Sequence, residues 1–135
     1  MRLYSSDLEN SVDIGMGSIW FSIYSTAVIA LSNDIKKNIP LAISFLKNAE
    51  CTIENVEETK NQMIKLREAF TSLSPDKVVY DLNKPNIAPP WGEYIAPTVT
   101  SCADLYTTAD GKDLFTEVIS LLSYAQGEKL SIIAI

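Results

Sequence analysis

Between residues 53 and 73 the apolar side chains Ile53, Val56, Met63, Leu66, Phe70 and Leu73 recur at steps of three, four and seven. That spacing gathers them on one face of a helix and scatters them on a strand. A one-sided helix must cover its stripe with other elements, so the chain is committed to a layered, packed fold. Thr52 stands where an N-cap is needed, and Glu54, Glu57 and Glu58 lie toward the positive end of the helix. Ser74-Pro75-Asp76 stops it.

The rest of the chain supplies the partners. RLYSS and SVDIG read as short strands broken by the polar DLEN stretch. Ser18 is a candidate N-cap for a largely buried helix over Ile19 to Leu31, closed by Ser32, Asn33 and Asp34. A shorter helical segment runs from Pro40 to Leu46. Lys77-Val78-Val79-Tyr80 has the β-branched and aromatic character of a strand, and Asp104 to Thr107 reads as another. Asp110 and Gly111 mark the start of a helix with the stripe Leu114, Phe115, Val118, Leu121, Leu122 and Ala125, and Gly127 is placed to cap its end. KLSIIAI forms a final strand. The expected architecture is one domain over residues 1–135, α+β or else α/β, with a small sheet of about four strands packed on three to four helices.

Composition narrows the chemistry. The 135 residues include no histidine and only two cysteines, Cys51 and Cys102. The commonest general base, metal ligand and pH switch is therefore missing, and neither a Ser-His-Asp nor a Cys-His arrangement can be built within this chain. Two distant cysteines without ligand spacing read as reduced thiols, and no metal or cofactor is expected. Gly15-Met16-Gly17 lacks the third glycine of a dinucleotide fingerprint, and no GK[ST] phosphate loop occurs. A net charge of −6 argues against a nucleic-acid backbone as partner and suits a basic protein. The apolar run Ile19–Leu31 falls short of the roughly 20 residues a bilayer span needs, and the acidic residues before it do not resemble a secretory leader. The cytoplasm is the expected compartment.

Three features invite a functional reading. Asp110 and Asp113 form a close carboxylate pair, which an acidic cap and first turn explain without catalysis. Glu50, Glu54, Glu57 and Glu58 make an acidic run that is either a solvated face or a docking patch for a basic partner. Pro89-Pro90-Trp91-Gly92-Glu93-Tyr94 is either a tryptophan folded onto the core or a stiff loop presenting aromatic and acidic groups, the residue types that anchor interfaces.

SPDKVVYDL, PPWGEYIAPTVTS and LYTTADGKDLF, in that order, together with the stretch from Gly15 to Trp20, resemble the immunity protein 70 family of bacterial polymorphic-toxin systems. The resemblance implies a protein that binds and neutralises a toxin domain encoded beside it, protecting the producing cell without an enzymatic activity. Trp91, Gly92, Asp110, Gly111, Asp113, Leu114 and Phe115 match the pattern and read as scaffold. Contact with the toxin is assigned to Glu50, Glu54, Glu57 and Glu58 on one side and to Glu93, Tyr94 and Tyr106 on the other. The competing reading is an adaptor for a non-toxin protein; a small carboxylate enzyme would need two acids facing each other across a deep apolar pocket.

Overall fold

The N-terminal pair of strands shows how local chemistry sets the frame. In the computed structural model, which describes residues 1–90 and 95–135, β1 (Arg2–Ser5) and β2 (Ser11–Asp13) form an antiparallel hairpin with Leu3 opposite Val12. Its turn is held by Asp7, whose carboxylate accepts from the Ser5 hydroxyl at 2.6 Å and the Glu9 amide at 3.1 Å. These bonds hold the Asp7 carboxyl below the usual carboxylate range, the Ser5 bond most of all. The last strand, β3 (Ile132–Ala134), pairs with the other edge of β1, Leu3 opposite Ala134. The sheet order is β2-β1-β3, antiparallel throughout. The fold is therefore α+β, and among the described residues the sheet has three strands rather than about four.

Five α-helices are formed among the described residues: α1 (Gly17–Ala30), α2 (Asn33–Lys36), α3 (Pro40–Asn48), α4 (Val56–Thr71) and α5 (Leu114–Glu128). The α4 and α5 stripes meet in the core, where Phe70 and Phe115 stack edge to face at 5.6 Å. Trp20 of α1 and Phe45 of α3 make a second edge-to-face pair at 5.4 Å. Pro40 at the first turn of α3 has no amide to satisfy. The amides that follow, Leu41 and Ala42, both donate to the buried Gln62 side chain of α4, at 2.7 and 3.1 Å.

Several helix ends differ from their sequence signals. Met16, not Ser18, precedes α1. Ser32 caps the short α2, accepting from the Ile35 amide at 3.3 Å, and this element raises the helix count above the expected four. Ile53 sits in a single 3₁₀ turn before α4 and is 55% exposed, off the buried stripe. Thr52 makes no side-chain cap there. At α5 the cap is Asp113, which accepts from the Thr116 amide at 3.0 Å, so the helix starts after the Asp110-Gly111 turn. Its C-terminal left-handed residue is Lys129 (φ +56°), with the Leu130 amide reaching back to the Ala125 carbonyl at 2.8 Å; Gly127 lies inside the helix.

The expected strand at residues 77–80 does not form, and the reason is a competing set of partners. Lys77 belongs to a 3₁₀ turn, Pro75–Lys77. The next residues dock their backbone on hydroxyls of α1 instead of a neighbouring strand. The Val79 amide donates to Thr26 Oγ1 at 2.9 Å, and the Val79 carbonyl accepts from Ser22 Oγ at 2.9 Å and Thr26 Oγ1 at 3.2 Å. The Leu82 amide donates to Ser25 Oγ at 3.1 Å. Ser22, Ser25 and Thr26 are all fully buried, with Ser25 and Thr26 about one turn on from Ser22, so a patch of hydroxyls on one face of α1 replaces a sheet ladder. Residues 104–107 likewise form no strand and contribute only an isolated bridge between Thr107 and Asp113.

Candidate functional site: an acidic cleft beside β3

On the outer edge of β3, Cys51 makes a ladder contact, its amide and carbonyl exchanging bonds of 3.0 and 2.9 Å with Ile132. This bridge ties the chain after α3 to the end of the protein and opens a surface cleft of about 330 Å³ above it. Leu41, Phe45, Cys51, Ile132 and Ile133 give the cleft an apolar wall. Ser44 and Asn48 of α3, Thr52, Asn55 and Thr59 before and within α4, and Ser131 supply polar groups around it. Glu50 lines the cleft and is exposed.

Glu54, Glu57 and Glu58 are exposed on the adjoining turn and first turn of α4. The ion pairs among the described residues are Arg2–Asp13, Lys37–Asp34 and Lys112–Asp110, and none involves these four glutamates. Glu58 accepts a long 3.4 Å bond from Gln62. Glu50 lines the cleft, and Glu54, Glu57 and Glu58 stand on the turn and helix start that supply Thr52, Asn55 and Thr59 to it.

Cys51 sits at the base of the cleft, its thiol within 3.3 Å of Thr59 Oγ1, and burial pushes its pKa up. Burial, with smaller contributions from Asp76 and Asp104, raises the Cys102 thiol to about 11. Both thiols are protonated near neutral pH, which suits packing and not nucleophilic attack. Among the described residues no group of three or more His, Cys, Asp or Glu side chains is placed to hold a metal ion. No helix among them is long and apolar enough to cross a membrane.

The remaining sequence candidates separate. Tyr106 is not a contact residue: it is 2% exposed, and its hydroxyl lies 2.9 Å from Ser22 Oγ and 3.1 Å from Thr26 Oγ1. Burial raises its pKa to about 12, so it serves as a neutral member of the patch that anchors Val79. Asp110 and Gly111 form the turn before α5, and Leu114 and Phe115 open the helix. Gly111 takes φ +84°, where a β-carbon is disfavoured, and Asp110 accepts from Thr108 Oγ1 at 2.5 Å. Leu114 and Phe115 are fully buried in the core. The Ala109 amide donates to the Asp13 carbonyl at 2.9 Å, so this turn closes the outer edge of β2. Trp91, Gly92, Glu93 and Tyr94 lie outside the described residues.

Sequence reasoning missed the apolar wall of the cleft. Its residues come from 41–59 and from 131–133, which are far apart in sequence and are joined by the Cys51–Ile132 bridge. It also passed over Ser22, Ser25 and Thr26, although three hydroxyls on one face of an uncharged helix were a visible signal.

Against known proteins, the family model described as immunity protein 70 matches residues 4–134. A subtilisin-like protease, SBT4.4 of Arabidopsis thaliana, is 36% identical over 74 residues, a match covering 55% of this chain and 10% of that protein. No solved structure matches.

Proposed function

The chain belongs to the immunity protein 70 family, and from that premise we propose that it binds and neutralises a cognate toxin domain in the cytoplasm of the producing cell. It acts as a single domain by occupying a toxin surface, with no catalytic step of its own. The observation that carries this reading is the extent of the family match, which takes in both the core and the acidic face. Four exposed glutamates without ion-pair partners among the described residues give that face a negative field, and a basic toxin surface is its complement.

Glu50, Glu54, Glu57 and Glu58 are the proposed contacts, with Glu93 and Tyr94 carried as contacts from the sequence alone. Surface charges of this kind chiefly accelerate encounter and select partners, while apolar anchors hold the complex. The 36% match to a plant protease does not alter this reading, since a triad needing histidine cannot be assembled within this chain.

Co-expression tests the proposal. The toxic domain encoded immediately beside this gene is induced in a sensitive host with and without the protein. Restored growth together with co-purification of the two chains supports immunity. Continued killing, with no complex recovered from cells containing both folded proteins, rejects it.

A further inference from the structure

We propose that the cleft between α3 and β3 receives one lysine or arginine side chain of the toxin domain, with Glu50 as its counter-charge; this rests on the toxin-binding reading above. The cleft's volume of about 330 Å³ is at the lower end of the roughly 300–1,000 Å³ range of small-ligand pockets. Its composition is divided in the way a long basic side chain is divided. The half-buried Leu41 and Ile133 offer an apolar wall to the methylene stem, and Glu50 offers a carboxylate to the charged head.

The electrostatics of the two flanking helices decide the sign of the guest. The C-terminal end of α3 finishes at Asn48, which lines the cleft, and the negative end of a helix favours a cation. The N-terminal end of α4 borders the same cleft through Asn55 and Thr59 and taken alone favours an anion. That preference amounts to about half an elementary charge. Glu54, Glu57 and Glu58 set three full negative charges on the same turns, and Glu50 adds a fourth in the cleft itself. Lys47 on α3 and Lys60 on α4 are the nearby cations in sequence; like Glu54, Glu57 and Glu58 they do not line the cleft, and they offset two of the four negative charges. The balance is negative, and a basic side chain is the guest that fits both wall and charge.

A seated anchor and a general negative field are separable by kinetics, because burying a charge in a pocket slows dissociation while a surface field speeds association. The test measures association and dissociation of the full chain with the adjacent toxin domain for wild type, Glu50→Gln, Ser44→Trp and Glu68→Gln. Glu50→Gln removes the counter-charge. Ser44→Trp fills the cleft from an exposed position on α3. Glu68→Gln makes the same charge change at an exposed site on α4 that does not line the cleft. Thermal melts accompany each variant, so that a loss of binding is read only from folded protein.

The anchor predicts that Glu50→Gln and Ser44→Trp each weaken affinity by about tenfold or more through faster dissociation, with Glu68→Gln within about twofold of wild type. If wild type binds and either cleft variant dissociates no faster than Glu68→Gln, the anchor is wrong and the toxin-binding reading stands. If the wild-type chain does not bind the toxin domain, that reading fails and the anchor falls with it.

Discussion

Replacing Thr26 with valine removes one hydroxyl from the patch that holds residues 79–82 on α1, and nearly nothing else, since the side chains have the same shape. Thr26 is fully buried and has three relationships: it accepts from the Val79 amide at 2.9 Å, approaches the Val79 carbonyl at 3.2 Å and approaches the Tyr106 hydroxyl at 3.1 Å. The carbonyl keeps Ser22 as a donor and the Tyr106 hydroxyl keeps Ser22 as a partner, so neither is stranded. The Val79 amide has no such reserve. An unsatisfied donor of this kind costs about 1–3 kcal/mol, so Thr26→Val is expected to destabilise the fold by about 2 kcal/mol.

Tyr106→Phe makes the control. Its loss leaves Ser22 and Thr26 free to donate to the Val79 carbonyl and leaves the amide paired, so it removes one ordinary bond worth about 1 kcal/mol. Urea unfolding followed by circular dichroism gives both values. A Thr26→Val change smaller than that of Tyr106→Phe refutes the account of how this segment is anchored.

Gln62→Leu strands the Leu41 and Ala42 amides at the start of α3, and urea unfolding is expected to show a loss of about 2 kcal/mol. Lys129→Gly relieves a left-handed residue at the end of α5 and is expected to raise the melting temperature, a gain of at most about 1 kcal/mol after the entropy of glycine is counted. The Cys102 thiol is raised in the folded state to about 11 from an ordinary 9.0, so the folded protein holds its proton more firmly than the unfolded chain. Its contribution is complete below pH 9 and is lost as pH rises toward 11, so stability should decline across that window, less steeply in Cys102→Ala. A thiol reagent should label Cys102 only on unfolding; rapid labelling of the native protein contradicts this.

The elements legible in the sequence are those whose reasons are local. The α4 and α5 stripes, from Val56 to Phe70 and from Leu114 to Ala125, read directly from helical spacing, because periodicity alone assigns those side chains to the core. The segment around Val79 misled because β propensity describes the residue and not its partner, and the partner hydroxyls lie more than fifty residues earlier. Tyr106 misled similarly: an aromatic near a loop has the character of an interface anchor until the hydroxyls that bury it are known. The exposure of Glu54, Glu57 and Glu58 was legible because they fall at a helix start and the turn before it, where acidic side chains stay in solvent. The cleft was not, because its two walls meet only when the final strand closes against Cys51.

The central claim is that the acidic face meets a basic toxin domain, and calorimetric titration of the two proteins at low and high salt tests it most directly. Wild type should bind tightly and lose affinity as salt screens the field, while a Glu54→Lys, Glu57→Lys, Glu58→Lys triple variant should bind weakly with little remaining salt dependence. Equal affinity and equal salt dependence in the two proteins would contradict the claim.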